Sequence, residues 1–315
     1  MNLPATDKRI RELRPPKSYV DPFHAHGTVL EKERRPGGKI EETLTVFLAG
    51  AECPFACSFC DLWQWTITGP TPPGALAAQL QQVLGTLGTT RPDRIKLYNA
   101  SNFFDPRAVP TADVNALSKL LATFDGITVE SHASTIGRRA VAFARSISGR
   151  LEVAMGLETI HPVALAESNK RLDLTRFDRA MSFLLRNGMD VRVFVLLGMP
   201  YVPQDEVVQW TVRTVEYAIA RGASVVSIIP VRSGNGELQR LQSIGKFAPP
   251  TLRQLEDALR EAQSFERAAV TADLWDIDRL DACGQCKAPR IEALRVANLT
   301  GRLGERTHCA ACNDA

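Results

Sequence analysis

Three cysteines spaced C-x3-C-x2-C, in the run Cys53-Pro54-Phe55-Ala56-Cys57-Ser58-Phe59-Cys60, follow an apolar, β-branched stretch. Three thiolates can hold a 4Fe-4S cubane and leave its fourth iron without a protein ligand, and an open coordination position is where a substrate or cofactor enters. Iron-sulfur clusters are normally held by four cysteines, so this spacing points to a reactive centre, with a zinc loop as the alternative. The other four cysteines form two C-x2-C pairs, Cys283/Cys286 and Cys309/Cys312, with 22 residues between them. Such a set predicts a four-thiolate metal site, either a tetrahedral zinc ribbon or a second, auxiliary 4Fe-4S cluster, with His308 a bystander. All seven cysteines fall in these two groups, the usage of metal sites in a reducing compartment rather than of disulfides. No signal-like or membrane-length apolar run accompanies them, so the expectation is a cytoplasmic protein without a membrane partner.

These ligands need a scaffold, and 315 residues at 44% hydrophobic and 23% charged content can bury a large core, which excludes a disordered chain. The 38 basic and 35 acidic side chains nearly cancel, so no overall field announces nucleic acid. From Thr43 onward, short β-branched runs alternate with segments of helical period, the pattern of βα units around a parallel sheet. Strands are predicted at 43–48, 94–98, 127–131, 151–156, 190–197 and 223–230. Helices are predicted near 75–86, 112–124, 135–146, 175–187 and 204–221, with C-terminal glycines at Gly88, Gly188 and Gly222. The fold class is therefore α/β, a partial (β/α)6 barrel of the TIM-like kind with a short four-cysteine tail. Its expected segments are a basic, irregular and exposed arm over 1–40, the barrel core over 41–235, a helix and strand extension over 236–279, and the metal tail over 280–315. The arm holds nine basic against five acidic residues, read as a solvated extension before an RNA-contacting one. The tail is too short for its own apolar core and needs a metal to hold it.

The loop motif, with Phe59 before the last cysteine, resembles the signature of the radical S-adenosylmethionine (SAM) superfamily. The runs Lys96 to Pro106, Val129-Glu130-Ser131 and Glu152 to Glu158 are most similar to the archaeosine-forming and Elongator-catalytic-subunit-like branch, over roughly residues 43 to 235. What the resemblance implies is a TIM-like barrel whose 4Fe-4S cluster on Cys53, Cys57 and Cys60 chelates the amino and carboxylate groups of SAM. An external donor's electron then cleaves the sulfonium, and the 5'-deoxyadenosyl radical abstracts hydrogen from substrate. It also implies cofactor contacts at strand ends. Asn99 and Ser101 stand where the superfamily often has Gly-Gly-Glu at the amino group, Glu130 and Glu158 face ribose or ammonium, Lys170 meets the carboxylate, and Leu197 walls the adenine. In the archaeosine family the substrate is a lysine adduct of a modified tRNA base, so tRNA is one expected partner.

Small-molecule or peptide biosynthesis by the same chemistry is the alternative, and a zinc-ribbon nucleic-acid-binding protein on a non-catalytic barrel is the alternative of another class. Arg232 and the run Asp273-Leu274-Trp275-Asp276 follow strand-like stretches and could face substrate, although turn chemistry accounts for them equally well. No Walker loop, nucleophile elbow or dinucleotide fingerprint is present.

Overall fold

A computed structural model describes residues 5–306 and 308–312. Eight strands make one sheet in chain order: β1 (Gly27–Arg34), β2 (Ile40–Phe47), β3 (Arg94–Tyr98), β4 (Gly126–Glu130), β5 (Arg150–Glu158), β6 (Asp190–Leu197), β7 (Val225–Pro230) and β8 (Ala269–Ala272). β1 runs antiparallel to β2, and every later neighbour is parallel. Helix α1 (Ala5–Glu12) precedes the sheet. The crossovers carry α2 (Ala75–Thr86), α3 (Thr111–Leu120), α4 (Arg138–Ser146), α5 (Pro162–Glu167) with α6 (Leu174–Arg186), α7 (Val207–Ala220), and α8 (Glu237–Ser243) with α9 (Leu252–Ala262). Six βα units are therefore present as expected, and α10 (Lys287–Thr300) follows β8.

The expectation of an irregular, exposed arm over 1–40 is overturned. That stretch supplies α1 and β1, and buries Asp7, Ile10, Glu33 and Arg35. Its charges hid the strand, because β1 is an edge whose exposed residues obscure the period-2 signal. Helix α10 lies against both β1 and β8, and so covers the seam between the two sheet edges.

Strand alternation divides the chain's apolar and polar chemistry. Leu44, Val46, Ile95, Leu97, Ile127, Val129, Val153, Met155, Val193, Val195, Val226 and Ile228 belong to the apolar core. The opposite parity points into the barrel, and its lower part is ionic. Glu152 accepts from Arg192 Nε at 3.0 Å, from Thr128 Oγ1 at 3.0 Å, and from Arg35. Arg192 on β6 also reaches Glu33 on β1, five strands away, a contact that requires the sheet to curl nearly closed. Lys96 Nζ lies 3.1 Å from Glu31 and 3.2 Å from Glu33, and Arg94 Nε donates to Glu41 at 2.9 Å. Burial opposes ionisation of Glu33 and Glu152, yet the surrounding guanidinium and ammonium groups outweigh it and hold both carboxyls well below the ordinary range. Four cations thus balance four acids in a closed floor.

Candidate metal and cofactor sites

The loop carrying Cys53, Cys57 and Cys60 leaves the end of β2 and is pinned from several elements. Asn102 Nδ2 reaches Cys53 Sγ at 3.4 Å, and Ser58 N donates to the Ser168 carbonyl at 2.9 Å. Asn235 Nδ2 donates to the Ser58 carbonyl at 2.8 Å and to that of Cys60 at 3.2 Å, and Asn169 Nδ2 donates to the Ala56 carbonyl at 2.7 Å. From the other side, Glu52 accepts from Arg11 at 2.7 Å and from Arg14 at 2.8 Å, while buried Asp7 on α1 accepts from Asn169 at 2.8 Å and from Arg171 at 2.6 Å. The segment expected to be a loose arm is thus a clamp on the cysteine loop. Burial pushes the Cys57 thiol up to about 12 and the Cys60 thiol well above its usual value.

The strand ends around this loop hold most of the expected cofactor contacts. The Glu130 carboxylate accepts from Asn99 N at 2.7 Å. Burial raises it to about 7, against the Asn99, Ala100 and Ser101 amides that favour its charge. The Asn99 side-chain amide and the Ser101 hydroxyl are buried without a partner among the described residues, an arrangement that costs energy unless a ligand satisfies them. Glu158 and Lys170, expected as two separate contacts, hold each other at 2.7 Å. Burial works against the Lys170 charge, but Glu158 and the nearby Cys57 sulfur outweigh it and raise the ammonium above the lysine norm. Lys170 also stands 5.9 Å from the Phe59 ring, a cation–π approach. A Cβ on Gly156 would lie 1.9 Å from Glu158 Oε1 and 2.8 Å from Lys170 Nζ, so only glycine admits the pair.

Leu197 departs from expectation. It lies on the parity of Val193 and Val195 and packs in the core outside the barrel, so it cannot wall a ligand within. An apolar run of strand residues does not reveal which parity faces inward. Sequence reasoning also missed Asn102, Asn169, Asn235 and His132. His132 N donates to Asn102 Oδ1 at 2.7 Å, its ring centroid is 4.2 Å from that of Phe55, and its Nε2 is 3.1 Å from the Lys170 carbonyl. Burial, aided by the Lys170 charge, pushes this imidazole down to about 3, so it is neutral. The signal available for these residues was only that amides cluster after strands.

The non-glycine residues with left-handed backbone are Ala100, Glu158, Asn169, Arg171, Tyr201 and Asp276 among the described residues. All lie at or beyond the C-terminal ends of β3, β5, β6 or β8, which gathers this backbone strain at the mouth of the barrel.

The second site is compact. The ligand atoms of Cys283, Cys286, Cys309 and Cys312 all lie within 4.8 Å of one another, and the Cys286 and Cys312 sulfurs are 3.9 Å apart. His308 is exposed and outside this set. Arg290, on the first turns of α10, donates to Cys286 Sγ at 3.7 Å and pairs with buried Glu256 on α9 at 2.7 and 2.9 Å. The three loop cysteines are not gathered into any such single-ion set among the described residues.

No protein-family model matches the chain. An uncharacterized protein of Methanocaldococcus jannaschii is 20% identical over 186 residues, 57% of this chain and 51% of that protein, so the chain spans about half the length of the curated relative it matches. Among solved structures, methylornithine synthase (PylB) superposes with a TM-score of 0.54 at 15% identity, covering 80% of this chain and 68% of that one. An archaeal Elp3 from Methanocaldococcus infernus, lacking its N-terminus, superposes with a TM-score of 0.51 at 14% identity, covering 75% of this chain and 60% of that one. The chain thus shares its barrel fold with methylornithine synthase and this archaeal Elp3. Among the described residues, no helix is long and apolar enough to cross a membrane.

Proposed function

We propose that the chain binds a 4Fe-4S cluster through Cys53, Cys57 and Cys60, cleaves SAM reductively with an electron from an external donor, and uses the 5'-deoxyadenosyl radical to take hydrogen from a substrate in the barrel. The observation that carries this reading is the orphaned Asn99 amide and Ser101 hydroxyl, buried beside the three-cysteine loop, which suit the amino group of such a cofactor. The cluster, when bound, supplies the reducing electron and an open iron for the cofactor's amino-acid end. The chain does the rest. Lys170, kept charged by Glu158, offers a cation to the cofactor carboxylate, and Glu130 offers acceptors to ribose hydroxyls. Asn102 donates toward the Cys53 sulfur, which tunes a cluster ligand from outside its coordination sphere. The ionic floor closes the barrel below, so the radical would be made in a chamber with one opening.

The test is anaerobic reconstitution with an assay for 5'-deoxyadenosine. Formation of that product with about four irons per chain supports the reading, and no cofactor cleavage in an iron-loaded protein sinks it.

A metal at the four-cysteine tail is read as a single zinc. Four sulfurs each about 2.3 Å from one zinc stand about 3.8 Å apart, whereas the terminal sulfurs of a cubane, set outside its corner irons, stand about 6 Å apart. The 3.9 Å separation of Cys286 and Cys312, in a set no wider than 4.8 Å, matches the former. The modified tRNA base suggested by the resemblance is one substrate proposal, but the arm lends it no support: Arg9, Arg11, Arg14 and Lys17 are turned to acids of the chain itself.

A further inference from the structure

One face of the barrel's outer wall stands apart in charge. Helices α4 and α6 cross over between β4 and β5 and between β5 and β6, so they stand side by side. Together they carry six arginines, Arg138, Arg139, Arg145, Arg176, Arg179 and Arg186, against one acid, Asp178. Six minus one gives +5, which exceeds the +3 of the whole chain, so the rest of the molecule is net negative. By contrast, α7 and α9 together hold three arginines against four acids.

Most of these arginines are not spent on the chain's own acids. Asp178 accepts from Tyr217 Oη at 2.9 Å and from Arg221 Nε at 3.3 Å, Asp173 caps α6 through Arg176 N at 2.7 Å, and Asp190 is held by Arg150 at 2.6 Å. Arg139 donates to Thr111 Oγ1 and to the Val109 carbonyl, both at 3.2 Å, and Arg176 to the Arg171 carbonyl at 2.8 Å. Arg138, Arg145, Arg179 and Arg186 are exposed and have neither a hydrogen bond nor an ion pair among the described residues. Against these four, Glu167 at the end of α5 is the one exposed acid nearby without such a partner. Arg138 and Arg145, like Arg179 and Arg186, are seven residues apart, two helical turns or about 10 Å along one helix face. The shape of the wall is a second observation. Two hollows lie on it, of about 240 Å³ and 330 Å³. Arg145, Arg150 and Asn187 line the first, between α4 and the end of α6, while Thr175, Arg179, Ser182 and Arg186 line the second, along α6. Cations spaced this far apart, with hydroxyl and amide groups between them, suit a row of phosphates rather than one small anion.

We propose that this wall binds the phosphate backbone of duplex RNA. No Phe, Tyr or Trp is exposed on α4 or α6, so the face offers no platform for stacking unpaired bases, and a duplex, which presents backbone and grooves, is the form it suits. Each arginine fork grips phosphate oxygens in pairs, and Thr175, Ser182 and Asn187 among them suit 2′-hydroxyls, which DNA lacks. Helix α6 starts at Leu174, soon after Lys170 at the mouth, so a duplex on the wall would lie beside the three-cysteine loop's end of the barrel. The docking surface goes beyond the radical reading and does not depend on it.

Titration of the full chain with an RNA duplex of about 12 base pairs at several salt concentrations tests it. Log affinity is expected to fall with log salt at a slope of about −3 to −4, close to one unit for each of the four free arginines. Arg179→Gln combined with Arg186→Gln should remove about two units of that slope and weaken binding about tenfold near 0.1 M salt. Arg295→Gln combined with Arg302→Gln removes the same charge at α10, across the barrel, and should change affinity by less than about twofold. A DNA duplex of the same sequence should bind about fivefold more weakly. Absence of binding, equal losses in the two double variants, equal affinity for RNA and DNA, or polyglutamate binding as tightly as the duplex would each overturn the proposal, the last by making the partner an acidic protein. Because these affinities need no SAM cleavage, failure of the radical reading would show in the 5'-deoxyadenosine assay alone, and failure of the RNA wall in these titrations alone.

Discussion

The chain uses cysteine twice, in opposite ways. At the barrel mouth, three sulfurs on one loop, Cys57 buried and Cys53 and Cys60 half-buried, are spread and buttressed by amides and by the N-terminal helix α1. In the tail, four sulfurs from two short turns converge on a single point, with one arginine behind them. On the reading proposed above, the loop would leave one coordination position open, and Asn102, Asn169 and Asn235 around it hold a cysteine sulfur or the loop backbone. The tail, with four converging sulfurs, would fill every position of a single ion. A protein that must react with a bound molecule leaves a position open and stiffens the surroundings; a protein that must hold a helix in place closes the sphere and lets the metal stiffen it.

The sharpest way to break this contrast is to remove one sulfur from each site. Cys57→Ala should abolish SAM cleavage and deplete iron, with zinc unchanged at about one per chain by elemental analysis. Cys309→Ser should do the converse, losing zinc while loop iron is retained, and should lower the thermal midpoint because the tail has no core of its own. Loss of iron from the tail variant alone would mean the two assignments are exchanged. Arg290→Gln sharpens the tail side: it leaves Glu256 buried without its partner and removes the donor to Cys286, so it should cost about 3 kcal/mol in denaturant unfolding and weaken zinc by roughly 10–100-fold in chelator competition. Asp7→Ala is the counterpart at the loop, and losing the acceptor for Asn169 and Arg171 should cost about 2 kcal/mol and hasten iron release in air without touching zinc.

The smallest effect is one of pH. Because the Glu130 carboxyl is raised from 4.5 to about 7, ionising it opposes the empty fold, so the wild type should lose stability as pH rises through that interval. Glu130→Gln should therefore be more stable than wild type by about 1 kcal/mol at pH 8 and equal to it at pH 5, as read from paired thermal scans. An unchanged difference across that range would place Glu130 in a wetter setting than its three amide contacts suggest.

Much of this was legible beforehand. The convergence of the four tail cysteines, six βα units and the carboxylates at the ends of β4 and β5 follow from spacing and period alone, because parallel strands read as apolar runs and thiolate ligands come in tight pairs. What stayed hidden has a common cause. Asp7, Arg11 and Glu237 matter through partners far away in the chain, which no local pattern records. Leu197 was misplaced because a run such as Val195-Leu196-Leu197 carries no mark of which parity faces the barrel, and only the pairing of β6 with its neighbours decides it. The mutual pairing of Glu158 and Lys170 depends on Gly156, whose missing side chain is the space they share.

The order of the strands in the sheet has a consequence for how the chain emerges from synthesis. Since each strand's neighbour is the one made just before it, the sheet can lengthen by accretion, without waiting for distant partners. The exception is the free edge of β1, which is made before the rest of the sheet and is covered only when α10, which follows β8, arrives. For that interval the molecule presents an unpaired strand to its surroundings, the geometry most prone to joining another copy. β1 ends in Glu31-Lys32-Glu33-Arg34, and four alternating charges on an early, long-exposed edge discourage that union until the last helix closes over it.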